Sequence, residues 1–240
     1  MDINLLHGDC LELMKDIPDG NIDMILCDLP YGTTACKWDT IIPFEPLWEQ
    51  YKRIIKPNGA IVLTASQPFT SALVISNPKM FRYSWVWEKQ QGTNPLLSKK
   101  QPMKVHEDIL VFYSKQSLYN PQMTKGTPYS GFITDKAKTT GDVMGNAKSI
   151  HRDNTSGTRY PRSVQKFNTP RVRGGHPTQK PVALFEYLIK TYTNEGETVL
   201  DNCMGSGTTG VACKNLNRNF IGMELDDKYF EIAKRRISEA

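Results

Sequence analysis

Residues 22–32 read Ile-Asp-Met-Ile-Leu-Cys-Asp-Leu-Pro-Tyr-Gly. The apolar run 22–27 predicts a buried strand. Pro30 ends this strand, because proline cannot donate to a sheet ladder and its backbone is stiff. Asp28 is then expected at the carboxyl end of a strand, where open α/β folds bind their ligands. A carboxylate beside the flat ring of Tyr31 suits a planar target that carries an amino group, such as a nucleobase. The alternative from these residues alone is an ordinary Asp-Pro-Gly turn.

Strands alternate with helices on both sides of this stretch. The predicted strands cover residues 3–7, 22–27, 59–64, 83–87, 108–113, 198–201 and 219–224. Helical spacing of apolar residues predicts helices over 11–17, 44–56 and 68–75, after Pro181, and at the C-terminus. This alternation predicts an α/β fold with a mostly parallel sheet that helices cover on both faces.

Composition predicts a soluble globular protein. Of the 240 residues, 39% are hydrophobic and 23% are charged, and no apolar run reaches membrane-spanning length. Residues 1–4 lack the basic-then-apolar layout of a signal peptide. The five cysteines include no Cys-x-x-Cys pair and no metal-ligand cluster, so we expect reduced thiols, no bound metal and a cytoplasmic location.

Residues 116–174 differ in composition from the rest of the chain. They hold ten Lys or Arg residues and three Asp residues, a formal charge of +7, which leaves −2 for the remainder. Five aromatic residues are interleaved with these charges, and neither helical nor strand periodicity is sustained. One interpretation is a long solvated loop. The other is a surface that binds phosphate backbones through its basic residues and bases through a few side chains.

A glycine-rich loop follows the strand 198–201. Its sequence fits Gly205-x-Gly207-x-x-Gly210, and Glu224 ends the next strand fourteen residues later. The loop lacks the Gly-Lys-Ser/Thr of a Walker phosphate loop. A dinucleotide and S-adenosylmethionine both remain, because each has a ribose that a carboxylate such as Glu224 binds.

Three motifs together resemble the β-class of DNA amino-methyltransferases. They are Asp28-Leu29-Pro30-Tyr31, His176-Pro177-Thr178-Gln179-Lys180-Pro181, and the segment 201–210 with its glycines. Their order also fits this class, with the catalytic motif first, the recognition insert next and the cofactor motif last. The resemblance implies a three-layer, mostly parallel, seven-stranded Rossmann-like sheet that is circularly permuted, so that 198–201 is its first strand. It divides the chain into a catalytic half (1–115), a basic target-recognition insert (116–174) and a cofactor-binding half (175–240).

The resemblance implies a transfer of methyl from S-adenosylmethionine to an amino group of a base that is flipped out of double-stranded DNA. Asp28 and the main-chain carbonyl of Leu29 would accept hydrogen bonds from that amino group, and Tyr31 would stack on the base. Pro30 completes the catalytic set. The usual motif has proline where this chain has Leu29, but a main-chain carbonyl does not depend on that side chain. His176 is expected to hold its loop.

The resemblance also implies the binding residues. Asp9 would bind the cofactor's adenine and Glu224 its ribose, and most of the others would surround the methionine end. The cofactor set is Asp9, Cys10, Asp28, Thr178, Gln179, Lys180, Asp201, Cys203, Gly205, Ser206, Gly207, Thr208, Thr209, Glu224 and Leu225. The basic residues expected on DNA are Lys148, Arg152, Arg159, Arg162, Lys166, Arg171 and Arg173.

Within this class, aspartate at position 28 accompanies adenine and serine accompanies cytosine. We therefore expect a site-specific N6-adenine DNA methyltransferase. The alternatives are methylation of cytosine N4 and a nucleic-acid-binding module without catalysis. Methyltransferases that act on protein glutamine or RNA carry the glycine loop before their Asn-Pro-Pro-Tyr motif, which is the reverse of the order here. The resemblance allows a homodimer and a cognate restriction endonuclease, in a bacterial or phage-encoded setting.

Overall fold

A computed structural model describes residues 1–33, 39–132, 151–170 and 179–240. Twelve strands are present in these ranges: β1 (Ile3–His7), β2 (Ile22–Cys27), β3 (Ile55–Ala65), β4 (Phe81–Thr93), β5 (Lys104–Phe112), β6 (Thr124–Lys125), β7 (Tyr129–Phe132), β8 (His151–Asn154), β9 (Thr158–Arg159), β10 (Val164–Lys166), β11 (Thr198–Asp201) and β12 (Asn219–Glu224). The α-helices are α1 (Cys10–Leu13), α2 (Phe44–Ile54), α3 (Phe69–Ser76), α4 (Val182–Tyr192), α5 (Thr208–Asn215) and α6 (Asp227–Glu239).

Eight of these strands form one sheet in the order β1-β12-β11-β2-β3-β5-β4-β10. All neighbours in it are parallel except β3 with β5 and β5 with β4. The predicted α/β class and mostly parallel sheet are therefore confirmed. The sheet has one strand more than the expected seven. The extra strand, β10, pairs with β4 at the edge and is only three residues long, which is too short to give a periodic signal.

The strand order fits the expected circular permutation. Counting strands from β11, and continuing from β12 to β1, gives the order 3-2-1-4-5-7-6 for the first seven strands across the sheet. This order begins like that of doubly wound nucleotide-binding sheets. From β11 the chain crosses through α5 to β12 on one side, whereas from β2 it crosses through α2 to β3 on the other. The carboxyl ends of β11 and β2 therefore flank a topological switch point, where such folds bind ligands.

Hydrophobic side chains cover both faces of the sheet. In β2, Ile25 and Cys27 belong to the core cluster that includes residues of α2 and α3. Met24 and Leu26 belong to the opposite cluster, which includes residues of α4, α5 and α6. Because successive side chains of a strand alternate between faces, a continuously apolar strand indicates two buried faces. The three-layer arrangement follows from this pattern.

A second compact unit spans Pro121–Arg162. Its described residues form two antiparallel pairs, β6 with β9 and β7 with β8. Residues 163–170 belong to the main unit, so this unit is narrower than the predicted insert 116–174. Seven basic and three acidic residues give it a formal charge of +4 and leave +1 for the main unit. In the described ranges, no helix has the length and apolar character needed to cross a membrane.

Candidate active site

A cavity of about 1480 Å³ lies at the carboxyl ends of the central strands. Asp28 follows β2, residues 201–206 follow β11, and Glu224 ends β12; all of them line it. Pockets for one small ligand have roughly 300–1,000 Å³. The cavity is therefore large enough for a cofactor and a second planar group together.

Asp28 accepts three hydrogen bonds from side chains at the cavity. Its Oδ1 accepts hydrogen bonds from the hydroxyl of Thr64 and from the Tyr31 hydroxyl at 2.8 Å. Its Oδ2 accepts one from Lys180 Nζ at 2.6 Å. The Asp28 side chain is 25% exposed, whereas that of Lys180 is 6% exposed. The carboxylate is thus held from three directions and still faces the cavity.

Lys180 joins two carboxylates from different strands. Besides Asp28, its Nζ lies 3.4 Å from Oε2 of Glu107, which is in β5. Burial lowers the pKa of Lys180, but Asp28 and Glu107 outweigh it, and the pKa lies above its usual value. Lys180 therefore stays protonated. Lys89 binds the other oxygen of Glu107 and completes a row of alternating charges.

Tyr31 packs against Phe69 and bonds to Asp28. Its ring stacks on Phe69 of α3 with centroids 5.1 Å apart and planes at 25°. Burial, and then the charge of Asp28, raise the pKa of the Tyr31 hydroxyl well above 10.0, so it stays protonated. If Tyr31 stacks on a base, it uses the ring face opposite Phe69. The Leu29 side chain is 3% exposed in the core, and this packing holds the turn where the usual motif has proline.

The glycine loop is fixed by carboxylates. Glu224 accepts hydrogen bonds from the backbone N–H of Gly205 at 2.8 Å, Leu225 at 3.0 Å and Asp226 at 2.9 Å. Asp201 accepts from the N–H of Cys203 at 3.1 Å and from the hydroxyl of Thr209. Both carboxylates therefore hold the backbone of the glycine loop in place, a role that the sequence motif does not reveal. Burial raises the pKa of Asp201 to about 7, and burial also raises the pKa of Glu224.

Gly205 and Gly207 both have positive φ, 52° and 79°, which glycine adopts without strain. A Cβ added to Gly205 would meet no atom of the described residues within 4 Å, so that part of the chain leaves open space above the loop on the cavity side. A Cβ on Gly207 would lie 3.0 Å from the Cβ of Ala233 in α6. The open space at Gly205, beside the Glu224 carboxylate, fits a ligand that approaches the backbone and carries hydroxyl groups.

Three thiols lie beneath the loop. The amide nitrogen of Asn202 is 3.5 Å from the sulfur atoms of both Cys10 and Cys203. Burial raises the pKa of Cys27 to about 12, and a hydrogen bond with Cys203, followed by burial, raises the pKa of Cys10. With raised pKa values, these thiols are protonated near neutral pH and pack under the loop. The described cysteines are all free thiols.

Most of the predicted cofactor and catalytic residues meet at the cavity. Those that line it are Asp9, Cys10, Asp28, Leu29, Pro30, Tyr31, Gln179, Lys180, Asp201, Cys203, Gly205, Ser206, Thr208, Thr209, Glu224 and Leu225. Gly207 is not part of this lining: its N–H bonds to the carbonyl of Met204, and a Cβ added to it would meet Ala233 of α6, so its contact with the cofactor stays a prediction. Asp9 lines the cavity and also caps α1 through the N–H groups of Leu11 and Glu12. Thr178 and His176 lie outside the described residues.

The structure places the predicted DNA-binding residues in different parts of the chain. Arg159 donates to the carbonyls of Thr127 and Thr158 and lies 4.8 Å from the ring centre of Tyr129. It is therefore part of the second unit's own packing. Lys166 is in β10 of the main unit and pairs with Glu88 at 3.5 Å. Arg162 ends the second unit, and Arg152 is described only through the backbone of β8. Lys148, Arg171 and Arg173 lie outside the described residues.

Four residues around Asp28 were not predicted from the sequence. Thr64 and Glu107 come from β3 and β5, Lys89 from β4 and Phe69 from α3. None of them belongs to a motif, and each reaches the site only because strands distant in sequence lie side by side. A polar residue inside the buried run 60–65 was the one available signal, and it marks Thr64.

The geometry agrees with comparisons to known proteins. The sequence model of a family described as DNA methylase (N6_N4_Mtase) matches residues 22–235. The Type II methyltransferase M.HpaI of Haemophilus parainfluenzae is 30% identical over 250 residues, covering 99% of this chain and 74% of that protein. The DNA adenine methyltransferase YhdJ of Escherichia coli is 29% identical over 262 residues, covering 98% and 83%.

The chain belongs to the DNA methylase family. Solved structures agree, since the M1.HpyAVI–SAM complex has 26% identity, a TM-score of 0.66 and coverage of 98% of this chain and 99% of that one. The cytosine-N4-specific PvuII DNA methyltransferase shares the fold, with a TM-score of 0.69 at 15% identity. As a DNA methylase, this protein is an S-adenosylmethionine-dependent DNA amino-methyltransferase.

S-Adenosylmethionine fits the glycine-loop end of the cavity. The open space above Gly205 admits a ligand close to the backbone, and Glu224 is an acceptor for hydroxyl groups in the same place. The loop is also held from behind, where Arg236 of α6 donates to the Ser206 hydroxyl at 2.8 Å and to its carbonyl. In this DNA methylase the glycine loop and the Asp28 carboxylate therefore line one cavity, and hydrogen bonds hold both in place.

Proposed function

We propose that this DNA methylase transfers a methyl group to the N6 amino group of adenine at a specific sequence in double-stranded DNA. The observation that carries the proposal is the Asp28 carboxylate, held by Lys180 and Thr64 in the same cavity as the glycine loop. A relative 29% identical over nearly the whole chain is named a DNA adenine methyltransferase. An aspartate at position 28 favours adenine over cytosine within the β-class that the sequence resembles.

The chemistry requires the amino group to be made more nucleophilic. Its lone pair is delocalised into the ring, and two acceptors on its hydrogens favour the tetrahedral form, in which the lone pair is available. Asp28 and the main-chain carbonyl of Leu29 are those acceptors. The rigid packing of Leu29 and the three donors on Asp28 fix their positions. Such placement of the reacting groups lowers a barrier by roughly 7–11 kcal/mol.

S-Adenosylmethionine supplies a methyl group that its sulfonium already activates. Glu224 would hold the ribose, Asp9 the adenine amino group, and Gln179 and the 201–206 loop the methionine end. The target adenine has to leave the DNA stack, which costs a few kcal/mol. Tyr31 offsets part of that cost by stacking on the base with the face that Phe69 leaves uncovered.

The proposal is tested on DNA from cells that express the protein. Single-molecule sequencing gives the modified base and its sequence context, and mass analysis of nucleosides identifies the product. We expect N6-methyladenine at one short sequence. N4-methylcytosine as the main product would overturn the assignment.

Asp28→Asn isolates the catalytic group. It keeps the shape of the side chain but replaces one acceptor oxygen by a donor, so the methylation rate should fall on the order of 10²–10³-fold, like other losses of a preorganised electrostatic partner. Affinity for S-adenosylmethionine should stay within a few-fold. Glu88→Gln, which removes an acid paired with Lys166 at the sheet edge, is the control and should retain the wild-type rate.

Three further points belong to this proposal. We propose that a restriction endonuclease with the same recognition sequence accompanies this protein. The relatives named Type II methyltransferases support this pairing. A homodimer is tested by the mass of the purified protein in solution. We also propose a cytoplasmic location in a bacterial or phage-infected cell, which suits the free thiols under the glycine loop.

A further inference from the structure

The turn between β4 and β5 exposes apolar side chains beside the cavity. Beyond the last pair, Thr93 with Lys104, residues 94–103 form the tip of this hairpin. Thr93 at the end of the stem and Asn94 and Met103 at the base of the tip line the cavity wall. Leu96 at the tip is 97% exposed, and Leu97 and Met103 are also exposed. Packing within the protein does not explain why a leucine is exposed to solvent at the rim of a base-binding cavity.

The tip is ordered by its own backbone. Asn94 has left-handed φ and ψ of 64° and 49°, Pro95 starts a single 3-10 turn, and the N–H of Leu97 bonds to the carbonyl of Asn94 at 3.0 Å. The N–H of Lys100 bonds to the carbonyl of Leu97 at 2.8 Å. Leu96 therefore projects from a fixed turn.

The charge of this hairpin suits DNA. Residues 89–106 contain four lysines and no acidic residue, and Lys99 and Lys100 follow the two leucines after a single serine, Ser98. Lysines bind phosphates irrespective of sequence. Apolar residues such as leucine act as wedges between base steps in proteins that distort DNA.

We propose that the hairpin 94–103 docks on duplex DNA and that Leu96 occupies the space that the flipped adenine leaves. This inference rests on the proposed function. In this arrangement Leu96 offsets part of the free-energy cost of unstacking the adenine. Lys99 and Lys100 contact the flanking phosphates. Tyr31 then holds the base inside the cavity while Leu96 prevents its return.

The test uses a duplex with the site found by sequencing and 2-aminopurine in place of the target adenine. For Leu96→Ser we expect at least a fivefold smaller fluorescence increase on binding and a similar fall in the single-turnover rate on the adenine duplex. Removing the base opposite the target should restore both to within twofold, because an unpaired base leaves the stack at lower cost. Ile75→Ser, in α3, removes a side chain that is 75% exposed and is the control without effect.

Two outcomes would contradict the proposal that Leu96 acts as a wedge. One is a Leu96→Ser variant equal to wild type on the paired duplex, and the other is an equal loss on paired and unpaired substrates. Wild-type protein that methylates no DNA at all would instead refute the proposed function. The fluorescence and the rate therefore distinguish the two failures.

A second inference comes from the buried oxygen of Glu107. Its Oε2 has no hydrogen-bond partner among the residues that the structure describes, although Lys180 Nζ is only 3.4 Å away. Lys180 is bonded to Asp28 at 2.6 Å, so the same ammonium stands between two carboxylates. A movement of well under 1 Å would bring it to hydrogen-bond distance from Glu107.

We infer that Glu107 is a positioning residue that receives Lys180 when the target amino group binds Asp28. With Lys180 on Asp28, the ammonium competes for the acceptor and repels the positive charge that develops on the methylated nitrogen. With Lys180 on Glu107, the Asp28 charge faces that nitrogen undiminished. Lys89 holds the far oxygen of Glu107 and keeps the receiving group in place.

Glu107→Gln should lower kcat at least tenfold and leave the KM for DNA and the affinity for S-adenosylmethionine within twofold. In a Lys180→Met background the same change should have little further effect, because no ammonium remains to be received. Glu88→Gln is again the control. An unchanged kcat, or equal losses from Glu107→Gln in both backgrounds, would show that Glu107 only supports the fold. The double variant removes both charges together and so remains informative if Glu107→Gln alone is unstable.

Discussion

Asp201 shows at the residue scale how burial makes the stability of this methyltransferase depend on pH. The side chain is 2% exposed, and burial raises its pKa from 3.8 to about 7. A carboxyl group with a raised pKa favours the folded state most when it is protonated. Its contribution is fully present below about pH 4 and is lost as the pH rises through about 7.

Asp201→Asn should remove this part of the pH dependence. The amide keeps an acceptor for the Cys203 N–H and donates to the Thr209 hydroxyl, and it carries no charge. Each pKa unit corresponds to about 1.4 kcal/mol, so the free energy of unfolding of the variant should exceed that of wild type by a few kcal/mol at pH 8 and equal it near pH 4. Urea titrations across this range measure the difference. Glu49→Gln, at an exposed site in α2, should keep the wild-type profile, and an unchanged slope in Asp201→Asn would contradict the argument.

At the scale of the element, two glycines of the loop after β11 have different surroundings. Gly205 and Gly207 both have positive φ, so alanine costs roughly 1–2 kcal/mol of backbone strain at either position. They differ in their surroundings, because Gly205 faces open cavity and Gly207 faces Ala233 of α6.

The two alanine variants should therefore have opposite signatures. Gly205→Ala should weaken S-adenosylmethionine binding at least tenfold, because its methyl group enters the cofactor space, with only the strain cost in stability. Gly207→Ala should lose roughly a further 1–3 kcal/mol of unfolding free energy from overpacking, and its folded fraction should bind the cofactor nearly normally. Calorimetric titration and urea unfolding of both variants measure this. Equal effects in the two would mean that the open space above Gly205 is not the cofactor site.

At the scale of the whole molecule, positive charge is concentrated in the unit Pro121–Arg162, with +4 against +1 for the rest. We expect this unit to supply much of the sequence-independent attraction to DNA. Each phosphate contact adds about 0.9 to the slope of log affinity against log salt concentration. If half of the ten basic residues in 116–174 contact phosphate, that segment contributes a slope of roughly −4 to −5.

Lys125→Gln, in the exposed strand β6, should lower the magnitude of the salt slope by about 0.9 and weaken binding to all sequences alike. Fluorescence anisotropy at several salt concentrations gives the slope. Lys52→Gln, exposed in α2 of the main unit, should leave it unchanged. If removing all the positive charge of 121–162 did not alter the slope, this unit would be a solvated segment and not a DNA-binding one.

The sequence by itself determined the α/β class, the seven principal strands and the motif that ends at Tyr31. These follow from local rules: apolar runs form buried strands, proline ends them, and glycine permits the turn after β11. The pairing of Glu224 with the Gly205 N–H, and that of Lys180 with Asp28, required the tertiary structure. So did the close approach of Gly207 to α6 and the short strand β10. The physical reason is that these contacts join residues far apart in the sequence, such as Asp28 and Lys180, and only the order of strands in the sheet makes them neighbours. Apolar patterns that predict buried strands, in contrast, depend on residues close together in the chain.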